Sequence, residues 1–208
     1  MTRSKSSRAW MQEHVSDRFV RKAKQEGYRS RAAFKLRELA QQDRLILPGM
    51  TVVDLGAAPG GWSQVAAEMV GPKGRVVAVD ILEMAPLPDV EFLRGDFREA
   101  ETLERLEQTL GERQVDLVLS DMSPNISGIG MVDQARAAHL AELALEFSRQ
   151  WLKPGGNLLV KTFQGEGFAG TREQMRRSFR RVLARKPDAS RSRSPEVYLL
   201  GAGIERLP

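Results

Sequence analysis

One stretch constrains this chain more than any other: Thr51-Val52-Val53-Asp54-Leu55-Gly56-Ala57-Ala58-Pro59-Gly60-Gly61-Trp62. Thr51 to Leu55 is β-branched and apolar, with an acid near its end, and reads as a buried strand. Gly56 to Gly61 is a turn of small residues, and residues 62–70 have helical composition. Strand, glycine turn and helix in that order make the first half of a nucleotide-type binding unit. Glycine permits positive φ and lets a ligand approach the main chain closely. The turn departs from G-x-G-x-x-G, because only Gly56, Gly60 and Gly61 are glycine and Pro59 interrupts. That departure points away from a pyrophosphate and toward a ligand lacking one. A tight strand-to-helix turn with no ligand fits the same local pattern.

The chain around this unit repeats the theme. Arg75–Asp80 reads as a second strand, and its terminal acid lies 24 residues after Gly56. That spacing suits an acceptor for ribose hydroxyls, although a strand-end acid capping the next turn has the same pattern. Residues 90–97 read as a third strand with its loop, 99–110 as an acidic amphipathic helix, and 115–120 as a fourth strand followed directly by Asp121. Residues 132–152 suit a long helix, and Asn157–Phe163 a fifth strand entered through Pro154-Gly155-Gly156. Thr171 is expected to cap a basic helix containing Arg172, Arg176, Arg177, Arg180 and Arg181, with strands over 182–186 and 196–201 after it. Upstream, Ser16 or Asp17 caps a short helix ended by Gly27, and Ser30 caps a second running to about Gln42. The resulting order fits an α/β, doubly wound, mostly parallel sheet with one antiparallel edge strand and an N-terminal helical extension.

In open α/β sheets, ligands bind beyond the carboxyl ends of the strands. Asp54, Asp80, Asp96 and Asp121 all fall at or just beyond such ends. Asp96 is a candidate to reach the base of a bound nucleoside, although a loop acid alone predicts little. Lys161 sits late in an apolar strand, where a charge is costly unless it opens into a cleft. A snorkelling strand-end lysine is the plainer alternative.

Composition narrows the function class. There is no cysteine, which excludes disulfides, thiolate metal sites and cysteine nucleophiles. The 2 histidines, His14 and His139, are too far apart for a convincing metal site. No run approaches the roughly 18–20 apolar residues of a membrane span, and no apolar h-region follows the basic N-terminus, so neither membrane nor secretory targeting is expected. The net charge of +5 is unevenly spread: residues 1–45 and 172–193 each carry +7, while residues 46–171 carry −8. Basic segments flanking an acidic body are the usual footprint of a nucleic-acid binder. No linker divides the chain, so residues 1–208 are expected to form a single domain, with residues 1–15 a mobile basic arm.

With these residues in place, the chain resembles the FtsJ family of ribosomal-RNA 2′-O-methyltransferases. Five segments carry the resemblance: Gly27–Leu36, Asp54–Gln64, Ser120–Asn125, Lys161–Gly167 and Ser190–Tyr198. The resemblance implies a Rossmann-like methyltransferase fold with seven strands. It implies methyl transfer from S-adenosylmethionine to the ribose 2′-hydroxyl of a uridine in 23S rRNA, on the assembled 50S subunit. The family's catalytic tetrad maps onto Lys35, Asp121, Lys161 and Glu196. Its S-adenosylmethionine contacts map onto Gly60, Trp62, Asp80, Asp96 and Asp121. No metal is required by this scheme, and a cytoplasmic monomer is expected.

A 2′-hydroxyl is a poor nucleophile until its proton is removed or polarised. The resemblance makes Lys161 the proton acceptor, with Lys35 and Glu196 orienting it and Asp121 bridging donor and tetrad. Three rival functions remain compatible with parts of the pattern. An NAD-dependent oxidoreductase is disfavoured by Pro59, and a small-molecule methyltransferase by the basic segments. A non-catalytic ribosome-assembly factor is disfavoured by the intact tetrad, while a different RNA target, such as tRNA, keeps the chemistry.

Overall fold

The apolar runs pair into one sheet. A computed structural model describes residues 17–112, 114–124, 130–191 and 194–205. The arm expected over residues 1–15, the Ser16 cap, His14 and Asn125 lie outside the described residues. The elements are helices α1 (Arg18–Glu26), α2 (Ala32–Asp43), α3 (Gly61–Val70), α4 (Ala100–Leu110), α5 (Gly130–Trp151) and α6 (Glu166–Arg176). The strands are β1 (Thr51–Leu55), β2 (Arg75–Asp80), β3 (Val90–Arg94), β4 (Val115–Ser120), β5 (Leu152–Phe163), β6 (Phe179–Arg185) and β7 (Glu196–Ile204).

The strand order is β3-β2-β1-β4-β5-β7-β6. β1 is flanked in parallel by β2 and β4, so the chain reverses its direction of winding at the end of β1. That reversal is the topological switch point at which ligands bind in doubly wound sheets. The one antiparallel strand, β7, stands one place in from the outermost strand, between β5 and β6.

Side chains alternate across the sheet and build two cores. Val52, Val76, Leu117, Leu119, Leu159, Tyr198 and Leu200 face α2 and α3, meeting Leu36, Leu39, Trp62 and Val65. Val53, Leu55, Val77, Val118, Leu158 and Val160 face the other way, onto Leu106, Leu145, Phe147 and Met175. Burial on both faces explains the continuous apolar runs of the central strands.

Several boundaries fall where local chemistry puts them. Asp17 caps α1 by accepting from the Phe19 N–H at 2.9 Å, and Gly27 ends it at φ 77°. α2 begins at Ala32 without a side-chain cap, so the expected Ser30 cap is replaced by a turn in which Ala33 N–H donates to Ser30 O. β5 starts at Leu152, and Pro154-Gly155-Gly156 appears as a register shift between the pairs Val115–Leu152 and Leu117–Asn157. α6 starts five residues before Thr171, whose hydroxyl donates back to Gly167 O at 3.0 Å from inside the helix. Arg180 and Arg181 belong to β6 rather than to a basic helix. Arginines on an outermost strand keep its open hydrogen-bonding edge in water, which discourages edge-to-edge association.

Among the described residues, no helix is long and apolar enough to cross a membrane.

Candidate active site

Register places the tetrad. Lys161 on β5 lies directly opposite Tyr198 on β7, and Phe163 opposite Glu196. Because β7 runs antiparallel, its first residue meets the carboxyl ends of the parallel strands, and Glu196 arrives beside groups far from it in sequence. Residues two apart on a strand share a face, so Glu196 and Tyr198 point the same way. Lys35 comes from α2, which is fixed by Leu36 and Leu39 in the core and by the Trp62 indole N–H donating to Ala32 O at 2.8 Å.

The result is two ion pairs joined by a phenol. Lys35 Nζ donates to Glu196 Oε1 at 2.6 Å, and Ser190 Oγ donates to the same oxygen at 2.9 Å. Lys161 Nζ lies 3.1 Å from Asp121 Oδ1 and donates to the Asp121 carbonyl at 2.5 Å. Tyr198 Oη accepts from Lys35 Nζ at 3.3 Å and donates to Asp121 Oδ1 at 3.0 Å. Lys161 is only 8% exposed and Tyr198 fully buried. The cleft therefore holds two cations and two carboxylates in a low-dielectric setting where a lone charge would be costly.

Electrostatics follows from the pairing. Burial pushes the Glu196 carboxyl up, but the charge and hydrogen bond of Lys35, the Ser190 hydroxyl and the charge of Lys161 outweigh it, leaving the group below its ordinary value. Burial, then the neighbouring Asp121 and Glu196 carboxylates, push the Tyr198 phenol well above its ordinary value. Tyr198 is thus a fixed O–H donor and not an acid at neutral pH.

On the other side of Asp121 lies the glycine turn. The Asp121 N–H donates to Leu55 O at 3.3 Å, and Met122 packs where a Cβ on Gly56 would sit. Asp80 Oδ2 accepts from the Ala58 N–H and Oδ1 from the Leu82 N–H, each at 2.8 Å. These bonds orient the Asp80 carboxylate at the mouth of the turn, and each oxygen retains a further lone pair. Gly60 has φ 106°, and a Cβ there would meet Leu87 Cδ1 and Met84 Sδ at 2.8 Å. Beneath the turn, Asp54 is fully buried; Ser63 Oγ donates to its Oδ2 at 2.7 Å, while Oδ1 has no partner. Burial pushes this carboxyl up to about 7, the Ser63 hydrogen bond opposing and the charges of Asp121 and Asp80 adding to the rise.

The structure therefore brings Lys35, Asp121, Lys161 and Glu196 together, and sets Gly60 and Asp80 around one turn that Asp121 adjoins. Two expected donor contacts are placed differently in detail. The Trp62 ring is 3% exposed and packs on Tyr198 with centroids 5.6 Å apart, so its side chain is core and only its main chain faces the turn. The Asp96 carboxylate is held by Arg98, whose Nη2 donates at 2.6 Å, and the Arg98 hydrogen bonds draw it below its ordinary value. Sequence reasoning passed over Tyr198, whose signal was its position two residues after Glu196 on one strand. Asp54 stands among the acids expected at the strand ends, but its orphaned oxygen is legible only once Ser63 is seen to satisfy the other.

Next to the Lys35–Glu196 pair opens a cleft of about 220 Å³ lined by Arg31, Lys35, Arg191, Ser194 and Glu196. Asp17 anchors this basic wall, forming ion pairs with both Arg31 and Arg191. Among the described residues, no group of three or more His, Asp or Glu is arranged to hold a metal ion.

The chain matches the model of the FtsJ-like methyltransferase family over residues 28–204. It is 63% identical to a protein of Methylobacillus flagellatus over 201 residues, 97% of each chain, and 64% identical to one of Nitrosospira multiformis over 203 residues, 98% of each chain. Both relatives are named ribosomal RNA large subunit methyltransferase E. A crystal structure from Plasmodium falciparum, described as that of a ribosomal RNA methyltransferase, superposes with a TM-score of 0.77 at 27% identity, covering 85% of this chain and 98% of that one. On the strength of the full-length relatives and the family match, this chain belongs to the FtsJ-like methyltransferase family.

Proposed function

We propose that this protein transfers a methyl group from S-adenosylmethionine to the ribose 2′-hydroxyl of a uridine in 23S rRNA. We read it as one domain over residues 1–208, acting as a cytoplasmic monomer on the assembled 50S subunit, with no metal in the reaction. The observation that carries the reading is the pair of ion pairs Lys35–Glu196 and Lys161–Asp121, joined through Tyr198 and set against the glycine turn. The naming of relatives above 60% identity for the large ribosomal subunit supports the choice of RNA.

The donor set fits S-adenosylmethionine. The ligand carries a positive sulfonium, an ammonium and ribose hydroxyls, and the turn offers carboxylates at Asp80 and Asp121 instead of a nest for phosphates. Asp54 Oδ1 is a buried acceptor without a partner, and Gly60 is bare where its neighbours leave no room for a side chain. When bound, the donor supplies an activated methyl group on sulfur. Asp80 would hold its ribose, Asp96 its base, and the main chain of Gly60 and Trp62 its remaining edge.

The protein's own part is positioning and proton transfer. Lys161 Nζ, held by the carbonyl and Oδ1 of Asp121, orients the 2′-oxygen in line with the methyl; having first released its ammonium proton to solvent, the neutral amine would take the hydroxyl proton as the O–C bond forms and the methyl–sulfur bond breaks. Lys35 holds the incoming ribose from the opposite side, with Glu196 keeping its ammonium in place. The cleft lined by Arg31 and Arg191 accepts the phosphates on either side of the target, and the 2′-hydroxyl itself separates RNA from DNA. Mapping 2′-O-methylation across total rRNA from cells with and without the protein tests the reading. One large-subunit uridine should lose its methyl without the protein and regain it on complementation, whereas an unchanged map contradicts the proposal.

A further inference from the structure

The arginine next to the glycine turn is built into the donor side of the molecule. Arg29 Nη1 donates to Ala85 O at 2.6 Å and to Pro59 O at 3.3 Å, and Nη2 donates to Pro86 O at 2.7 Å. Its stem crosses the turn, with Cδ 3.2 Å from where a Cβ on Gly60 would lie. The Arg29 main chain is fixed as well: its N–H donates to Gln64 Oε1 at 2.8 Å, and Gln64 Nε2 donates to Gly27 O at 3.1 Å. One planar guanidinium thus ties three carbonyls together. Pro59 belongs to the glycine turn, and Ala85 and Pro86 belong to the β2–β3 connection that leaves Asp80. In the same connection, Met84 packs with Ala57 and Ala78 as a small core beneath the turn.

We infer that Arg29 is a positioning residue for the methyl donor, setting the gap between the glycine turn and the β2–β3 connection, and that it does not grip RNA. The inference rests on the donor site argued above. It runs against what charge alone indicates, since Arg29 lies in the basic segment 1–45 and six residues before Lys35. With three of its five N–H donors engaged by main-chain carbonyls, this guanidinium has little left with which to grip a phosphate. The arrangement also gives the N-terminal extension a second role. The segment that delivers Lys35 to the tetrad is the one that closes the donor pocket, so donor and RNA sites share one support.

Lysine keeps the charge of arginine but not its fork of donors, so Arg29→Lys separates the two roles. Full-length wild type, Arg29→Lys and Arg29→Gln are compared by calorimetry with S-adenosylmethionine and S-adenosylhomocysteine. The same proteins are assayed for KM toward each substrate and for binding of large-subunit rRNA at a series of salt concentrations. Both variants should weaken donor binding and raise donor KM by about tenfold or more, the usual effect of losing a charge-assisted hydrogen bond. KM is independent of the fraction of enzyme that is folded, so general destabilisation does not mimic this outcome. The RNA KM and the salt slope should match wild type, even in Arg29→Gln. Donor affinity in Arg29→Lys equal to wild type, or a salt slope lowered by about one phosphate contact in Arg29→Gln, overturns the inference while leaving the donor site intact. Failure of the wild-type protein to bind either ligand overturns the donor site as well.

Discussion

The Tyr198 hydroxyl donates to Asp121 Oδ1 at 3.0 Å and accepts from Lys35 at 3.3 Å, so one phenol links the two halves of the tetrad. With that proton held firmly, Asp121 is oriented toward Lys161, and Lys35 is kept between Glu196 and the phenol. Tyr198→Phe removes the link while its ring still packs on Trp62. Single-turnover methyl transfer should fall by about ten- to a hundredfold, as hydrogen bonds to charged groups are lost. Donor affinity should be unchanged, and a wild-type rate in the variant contradicts the linking role.

Asp54 and Glu196 should respond to pH in opposite senses. Burial, then the nearby Asp121 and Asp80, raise the Asp54 carboxyl from 3.8 to about 7. The folded chain then holds this proton more tightly than the unfolded chain does. Its contribution to stability is full below pH 3.8 and is lost as the pH rises through about 7. Glu196 lies below its ordinary value, so its contribution is present above that value and is lost as the pH falls through the folded one. Asp54→Asn should therefore flatten the decline in unfolding free energy over that window, read from urea unfolding at a series of pH values. An unaltered slope contradicts the buried, protonated carboxyl.

How much of this was legible beforehand depended on the kind of interaction. β1, β2, β4 and the glycine turn were plain, because buried parallel strands are continuous apolar runs and the turn needs small residues. Lys161 stood out as a charge in such a run. Its pairing with Tyr198 and Glu196 was not legible from periodicity, since it depends on β7 entering antiparallel between β5 and β6. Only the family resemblance nominated Glu196. The basic segment 172–193 was read as one footprint, yet β6 carries it across the sheet. Arg185 pairs in register with Tyr198 near the site, while Phe179 pairs with Ile204 at the far end, and Arg180 beside it is bound to Glu205. Summed charge has no direction, so it does not reveal that split. The resemblance nominates Trp62 as a donor contact, but the large apolar surface of an indole favours the core, and Ala32 O supplies its polar partner.

Asp80→Ala should weaken donor binding on the order of ten- to a hundredfold, through loss of charge-assisted hydrogen bonds to the ribose. The same substitution leaves the Ala58 and Leu82 N–H groups without their acceptor, so the turn loosens too. Calorimetry with S-adenosylhomocysteine checks this, and unchanged affinity removes Asp80 from the site.

In the proposed reaction Lys161 receives the 2′-hydroxyl proton. Its most direct test is single-turnover methyl transfer to large-subunit rRNA by wild type and Lys161→Ala, with donor and RNA binding measured alongside. Lys161→Ala should lose roughly 10²–10⁴-fold in rate, the usual contribution of a general acid–base group, with both ligands still bound. A near-wild-type rate in Lys161→Ala would contradict it.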